Sequence, residues 1–92
     1  MPSPFLHVTA VRYLGGYRLS VTFTDGFECE VDLRQRLDGE IFEPLRDESR
    51  FAEAFVDPET RTVSWPNGAD LAPEFLRDVG EEAVAAGAPT RG

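Results

Sequence analysis

The chain has 92 residues, enough for one domain with a single core, and 41% of them are hydrophobic, including seven Phe. This composition excludes a disordered acidic segment, and no apolar run approaches the roughly 20 residues that a membrane span requires. Seventeen acidic residues against nine basic residues, all of them Arg, give a net charge of −8, which disfavours contact with nucleic acids or anionic lipids and favours basic or neutral partners.

Two runs with alternating apolar side chains predict the first hairpin. Residues 6–10 and 17–23 both have the period of two that is typical of half-buried strands. Gly15-Gly16 between them suits a two-residue loop. The resulting register pairs Leu14 with Tyr17, Ala10 with Val21 and Val8 with Phe23, and it leaves Val11 and Tyr13 on the outer face.

The turn after the second strand is decided by which side chains it would bury. A two-residue turn at Asp25-Gly26 would point Glu28 and Glu30 into the core, which is costly. A three-residue loop over residues 24–26, with Gly26 in the left-handed conformation, avoids that cost. It pairs Phe23 with Phe27, Val21 with Cys29, Leu19 with Val31, Tyr17 with Leu33 and Arg18 with Asp32.

The central segment predicts a connector and a short helix. Residues 41–45 are expected to run extended, because the residue before a proline avoids the helical conformation. Asp47 is expected to cap a helix that continues to about Phe55. Phe51 and Phe55, four positions apart, would share the helix face that lies on the sheet.

The last third predicts a second hairpin and a closing helix. A four-residue loop over residues 58–61 would pair Val56 with Val63 and Ala54 with Trp65, so that the preceding helix must end near Ala54. Pro73 suits the first turn of a last helix, and Gly80 is a candidate stop. We therefore expect a domain over residues 1–80 and a flexible tail over residues 81–92.

Together these elements predict an α+β fold with a three-stranded antiparallel meander, a short helix, a second β-hairpin and a C-terminal helix. Several tracts in the same order resemble a small bacterial family, the domain of unknown function family 2442, over about residues 7–77. The tracts are Tyr17 to Phe23, Asp25-Gly26, Val31-Asp32-Leu33, Phe42 to Leu45, Val56-Asp57 and Val63 to Leu71.

The resemblance implies the same α+β fold and little about function. Members of the family are often encoded beside another small uncharacterised domain, in an arrangement suggestive of a toxin–antitoxin pair. Some members carry an added helix-turn-helix domain, which the twelve residues after Gly80 cannot form. Direct binding to nucleic acid by this chain is therefore not expected.

The tract from Trp65 to Pro73 predicts architecture more than chemistry. Trp65 could offer an exposed aromatic platform, but the strand pairing turns it to the core side with Val63. Asp70 could be a catalytic acid, but its place ahead of a helix favours hydrogen bonding to free backbone amides. The predicted structural motif comprises Gly26, Trp65, Asn67, Gly68, Asp70 and Pro73, with Asn67-Gly68 as a turn.

Acidic side chains on one face of the third strand are the main candidate for a binding surface. Glu28, Glu30 and Asp32 could serve Ca²⁺ binding or acid–base chemistry, but no loop has calcium-ligand spacing, which favours a solvated face. A basic partner would dock there first. The predicted partner-binding surface comprises Tyr13, Arg18, Glu28, Glu30 and Asp32.

Metal, cofactor and nucleophile chemistry find little support in the sequence. Cys29 is the only cysteine, which excludes an internal disulfide, and a Cys-His pair would need His7 to meet it. In the predicted register Cys29 faces the core and His7 the outside. We expect no metal and no cofactor.

The sequence therefore favours a small non-enzymatic protein-binding module, antitoxin-like or regulatory, with a small protein partner, and the acidic charge favours a basic one. The alternative is a small carboxylate-based hydrolase or metal-dependent enzyme that uses the same acidic residues or Asp70. The amino terminus lacks the basic residues of a secretory signal, so a cytoplasmic protein without membrane contact is expected. An unpaired sheet edge leaves self-association through a second copy open.

Overall fold

A computed structural model of the chain describes residues 6–87. Its elements in chain order are β1 (Val8–Gly15), β2 (Arg18–Phe23), β3 (Glu28–Asp32), a 3-10 helix (Glu43–Arg46), α1 (Glu48–Phe51), β4 (Phe55–Val56), β5 (Val63–Ser64) and α2 (Pro73–Ala85). Strands β1, β2 and β3 form one sheet in that order, and β4 pairs with β5. The predicted α+β class and the order of its elements are confirmed.

The hairpin of β2 and β3 has the predicted register. Val21 pairs with Cys29 and Arg18 with Asp32. The backbone N–H of Phe23 donates to the Phe27 carbonyl at 2.9 Å, and Gly26 takes the left-handed conformation at φ +86°. Burial of alternate side chains and one glycine at the required position were therefore sufficient to determine this hairpin.

The register of β1 against β2 differs from the prediction beyond its first pair. Val8 lies opposite Phe23 as predicted, but an irregularity between Val8 and Ala10 shifts the strand by one position. Ala10 then pairs with Thr22, and Val11 with Val21. Because side chains alternate between faces, this bulge exchanges the two sides of the strand, placing Ala10 outside and Val11 inside.

The loop between these strands also differs from the prediction. Gly15 pairs with Arg18, so the two central loop residues are Gly16 and Tyr17, at φ +61° and +62°. Tyr17 adopts this uncommon conformation for a side-chain-bearing residue because tertiary contacts hold it. Its ring packs edge-on against Phe51 at 5.3 Å between centroids, and its hydroxyl donates to the Arg46 carbonyl.

The connector is helical where an extended run was predicted. Pro44 lies in the first turn of the 3-10 helix, where a missing backbone N–H costs nothing. Asp47 caps α1 as predicted, with its carboxylate accepting from the Ser49 backbone N–H at 3.0 Å. The helix ends at Phe51, however, and Phe55 lies in β4 with 39% of its surface exposed, so the two rings do not share a helix face.

The second hairpin is short and has the predicted central pair. Val56 lies opposite Val63, and Phe55 lies opposite Ser64. The loop is closed by the Arg61 backbone N–H, which donates to the Asp57 carbonyl at 2.7 Å. Burial of Val63 then brings the following Trp65 into the same core as the three-stranded sheet.

Helix α2 begins at Pro73 as predicted but does not stop at Gly80. It continues to Ala85, and Gly80 lies buried within it, facing Cys29 of β3. A Cβ atom at this position would lie 2.2 Å from the Cys29 Sγ. The glycine is thus required for packing and does not end the helix. Residues 81–85 of the predicted tail are helical, and residues 88–92 lie outside the described residues.

Arg77 ties α2 to the turn between β2 and β3. Its guanidinium lies 2.9 Å from the Asp25 carboxylate and 3.1 Å from Glu81, and it stacks 4.1 Å from the Phe27 ring centroid. The Phe27 backbone N–H and, after it, Arg77 hold the pKa of Asp25 below its usual value. Both an ion pair and ring stacking therefore hold α2 against the β2–β3 turn at this end of the sheet.

Candidate functional site

The outer face of the three-stranded sheet carries the polar side chains that the core excludes. Three cross-strand pairs of β2 and β3 point away from the core. The face as a whole is formed by Ala10, Arg12, Arg18, Ser20, Thr22, Glu28, Glu30 and Asp32. The buried side chains of both helices and of the second hairpin join the cluster on the opposite face. Within residues 6–87, these elements therefore pack on the core face, and on the outer face Ser20 is buried while Thr22, Glu28 and Glu30 are partly exposed.

A shallow hollow of about 370 Å³ runs along this face. The small side chains of Ala10, Ser20 and Thr22 line it together with Val11, and Ser20 is only 8% exposed. Arg12 and Glu28 stand beside them as longer charged walls. A floor of small groups with a charged rim has room for a side chain from a binding partner.

The edge strand supplies the negative charge of this surface. Glu28, Glu30 and Asp32, the acidic strip, lie on β3 as predicted. The Thr22 hydroxyl donates to Glu28 at 3.1 Å, and the Arg18 guanidinium lies 3.9 Å from Glu30. With Arg12 and Arg18, the face holds two positive and three negative charges, a net −1.

Tyr13 is not part of this face, contrary to the predicted partner-binding surface. The bulge in β1 turns it to the core side, opposite Leu19, where its ring contacts Phe51 edge-on at 5.8 Å. Its hydroxyl donates to the Glu48 carboxylate at 2.5 Å, and the Gly16 backbone N–H donates to the same oxygen. These two bonds, the Tyr13 bond first, hold the pKa of Glu48 below its usual value. The structure therefore brings together Arg18 and the acidic strip, and separates Tyr13 from them.

The tract around Trp65 packs into the core and bonds to the end of α1, in agreement with its predicted architectural role. Trp65 is 1% exposed, and its indole N–H donates to the Phe51 carbonyl at 2.9 Å. Asn67-Gly68 makes the predicted turn, with Gly68 at φ +91°. The Asn67 amide donates to the Ile41 carbonyl at 2.9 Å, which fastens the turn to the connector.

The sequence predicts that Asp70 bonds the free backbone amides at the start of the last helix, and this prediction is wrong. Ala72 is the capping residue of α2, and no side chain accepts a bond from the first turn. Asp70 instead forms an isolated antiparallel bridge with Ser64, and its side chain is exposed. Pro73 fits the first turn without a cap because it has no N–H to satisfy.

Metal ligands do not converge in the part of the chain that the structure describes. No group of three or more His, Cys, Asp or Glu side chains there could hold a metal ion. Cys29 is fully buried against α2, and burial raises the pKa of its thiol to about 11. At neutral pH this cysteine is a protonated core side chain, which is a poor nucleophile and a poor ligand.

A second concavity, the arginine pocket, was not foreseen from the sequence. It has a volume of about 320 Å³ and is lined by Tyr17, Arg34, Gln35, Leu37, Asp38 and Arg46. Its residues come from the first loop, from the segment 34–38 after β3 and from the 3-10 helix, so no periodic pattern links them. The only sequence signal is a large aromatic residue directly after Gly15-Gly16, where the loop requires positive φ.

Comparison with known proteins places this fold in a family. The profile of a protein family of unknown function, DUF2442, matches residues 8–81. The chain belongs to this family. No curated protein matches the chain significantly in sequence. Within residues 6–87, the structure contains no helix long and apolar enough to cross a membrane.

One solved structure is similar over most of the chain. It is the crystal structure of NE0471 from Nitrosomonas europaea ATCC 19718, which is named "Putative DNA Binding Protein". The TM-score is 0.77 and the identity 26%, over 88% of this chain and 52% of that chain. The present chain therefore spans about half the length of that protein.

Proposed function

We propose that this DUF2442 domain is a non-enzymatic protein-binding module that docks a basic segment of a small protein partner on the outer face of its sheet. The observation that supports this most is the acidic strip on an edge strand beside a hollow with a small-residue floor. The floor gives room for partner side chains, and the three carboxylates select a positive charge. In this proposal the module has an antitoxin-like or regulatory role toward its partner.

Charge also separates this proposal from DNA binding. NE0471 carries DNA binding in its name, but it is only 26% identical to this chain. The present chain has a net charge of −8, and the outer face of its sheet is itself net negative. Phosphate contact needs clustered positive charge, so we assign this domain to contact with protein.

The experiment is co-expression with the protein encoded by the adjacent gene, followed by purification and calorimetry of the complex. The triple variant Glu28→Gln, Glu30→Gln, Asp32→Asn removes the charge of the acidic strip and retains its size. We expect it to weaken binding by about tenfold or more and to flatten the salt dependence of the affinity.

A matched control removes the same charge elsewhere. The variant Glu40→Gln, Glu53→Gln, Glu59→Gln also changes the net charge by +3, at exposed positions away from the outer face. We expect it to bind like the wild type. Equal weakening by both triple variants would overturn the proposed site, and the absence of any complex with the wild type would overturn the proposed antitoxin-like role.

A further inference from the structure

We propose that the arginine pocket binds a carboxylate, through the guanidinium groups of Arg34 and Arg46. This site shares no residue with the acidic strip, and the inference does not rest on the docking function proposed above. Its support comes from three observations, which concern backbone strain at Tyr17, the pairing of arginines across the domain, and the charge of the pocket lining.

Backbone strain is the first observation. Tyr17 lies at φ +62°, a left-handed conformation that is unfavourable for a residue with a side chain. The Phe51 ring and the bond from the Tyr17 hydroxyl to the Arg46 carbonyl hold it there. The strained conformation sets the Tyr17 ring below the Arg34 guanidinium, 5.5 Å from the ring centroid to the guanidinium carbon.

Both pocket guanidiniums are thereby limited in their freedom. Arg34 is stacked on the ring, which leaves the in-plane N–H groups of its guanidinium available to a ligand. The backbone carbonyl of Arg46 accepts from the Tyr17 hydroxyl, and the Arg46 Nε donates to the Leu37 carbonyl at 3.4 Å. A ligand that binds both groups would pay less ordering entropy than at two unrestrained side chains.

The pairing of arginines is the second observation. In this acid-rich domain Arg18, Arg36, Arg50 and Arg77 each lie within 4.0 Å of a carboxylate. Within residues 6–87, neither Arg34 nor Arg46 has such a partner, although both line the same concavity. Glu48 acts on Arg34 through its charge without forming an ion pair within 4.0 Å, so both guanidiniums can still offer their N–H forks to an external carboxylate.

The charge of the lining selects the ligand. Arg34 and Arg46 contribute two positive charges and Asp38 one negative charge, a net +1. A single carboxylate balances that charge, whereas a phosphate dianion would exceed it and approach Asp38 with a second negative charge. Gln35 adds an amide that can donate to a carboxylate oxygen. The chemical class of the ligand is thus a monocarboxylate.

The test is an NMR titration of the arginine Nε–Hε signals at constant ionic strength, with sodium acetate, sodium phosphate and sodium chloride in separate series. We expect saturable shifts of Arg34 and Arg46 with acetate, at a dissociation constant on the order of 1 mM, and weaker or linear shifts with phosphate and chloride. Arg34→Gln or Arg46→Gln should weaken acetate binding by about tenfold.

Arg12→Gln is the matched control, because Arg12 also lacks an ion pair among the described residues but lies on the outer face. It should leave the acetate titration unchanged. A tetrapeptide with a free C-terminal carboxylate, compared with its amidated form, shows whether the carboxylate belongs to a peptide or to a small acid. Linear shifts with acetate, saturable binding of phosphate in preference to acetate, or the same loss in Arg12→Gln would overturn the proposal.

Discussion

The two faces of the three-stranded sheet use alternate residues of the same strands for different purposes. The core face is filled by contacts that leave no room, such as Gly80 against Cys29 and the Trp65 indole against the Phe51 carbonyl. The outer face has small side chains at its centre and charged ones at its rim, with a hollow between them. We therefore expect substitutions on the core face to cost far more stability than substitutions on the outer face, beginning with the tightest core contact.

Gly80→Ala tests the tightest contact of the core face. The added methyl group would lie 2.2 Å from the Cys29 Sγ, so the helix or the strand must move. We expect a loss of about 2–3 kcal/mol in the free energy of unfolding, despite the better helix propensity of Ala. Urea unfolding followed by circular dichroism measures it.

The double variant Cys29→Ala, Gly80→Ala is the control for that contact. It removes the sulfur that the new methyl group meets, so it should be less destabilised than the sum of its single variants. Strict additivity of the two changes would show that the close approach of α2 to β3 is not the cause.

Trp65→Phe tests the contact between Trp65, which follows the second hairpin, and Phe51 at the end of α1. It removes the indole N–H that donates to the Phe51 carbonyl and leaves a cavity in a fully buried site. We expect a loss of about 1.5–3 kcal/mol. Circular dichroism is again the measurement, since the chain has one Trp and the variant has none. A loss of no more than about 0.5 kcal/mol, the usual effect of a surface substitution, would contradict the structural role.

Asp25→Asn tests the ion pair between Asp25 in the β2–β3 turn and Arg77 of α2. The pKa of Asp25 is lowered in the folded state, first by the Phe27 backbone N–H and also by Arg77, so its stabilising effect is present above the unfolded pKa. That effect is lost as the pH falls through the lower, folded pKa. We expect a loss of about 1 kcal/mol at pH 7, reduced by solvent exposure, and a much smaller difference between variant and wild type near pH 2. The same difference at both pH values would contradict this assignment.

The smallest stability effect is expected on the outer face. The variant Glu28→Gln, Glu30→Gln, Asp32→Asn should change the free energy of unfolding by no more than about 0.5 kcal/mol, because the replacements keep the size of the partly exposed Glu28 and Glu30 and Gln can still accept from Thr22. Urea unfolding beside the Gly80→Ala variant checks it. A loss as large as that of Gly80→Ala would show that the acidic strip belongs to the stable part of the fold.

Sequence patterns predicted the parts of the fold in which local and tertiary preferences agree. The β2–β3 register followed from the burial of alternate residues and from Gly26, and the place of Trp65 followed from strand pairing. The bulge near Thr9 has no glycine or proline to mark it, so the exchange of faces in β1 and the place of Tyr13 could not be read from the sequence. Gly80 was interpreted as a helix stop because a close helix–strand approach leaves no local signal.

One of the two candidate sites was predictable from the sequence and the other was not. The acidic strip lies on one strand, where alternation alone places its three carboxylates on one face. The arginine pocket combines Tyr17 of the first loop with Arg34 and Arg46, which are twelve positions apart in the chain. The strained conformation of Tyr17 places its ring between these two segments. Propensity favours glycine at that loop position, and only the contacts with Phe51 and Arg46 explain why tyrosine occupies it.

The most direct test of the central claim is NMR mapping of the complex with the protein encoded by the adjacent gene. The account predicts that the largest amide and side-chain shift changes fall on the outer face, at Arg12, Ser20, Thr22 and the acidic strip, and that α2 shows small changes. Largest changes on α2 or in the second hairpin, with the outer face unaffected, would contradict the claim that the open face of the sheet is where this domain binds its partner.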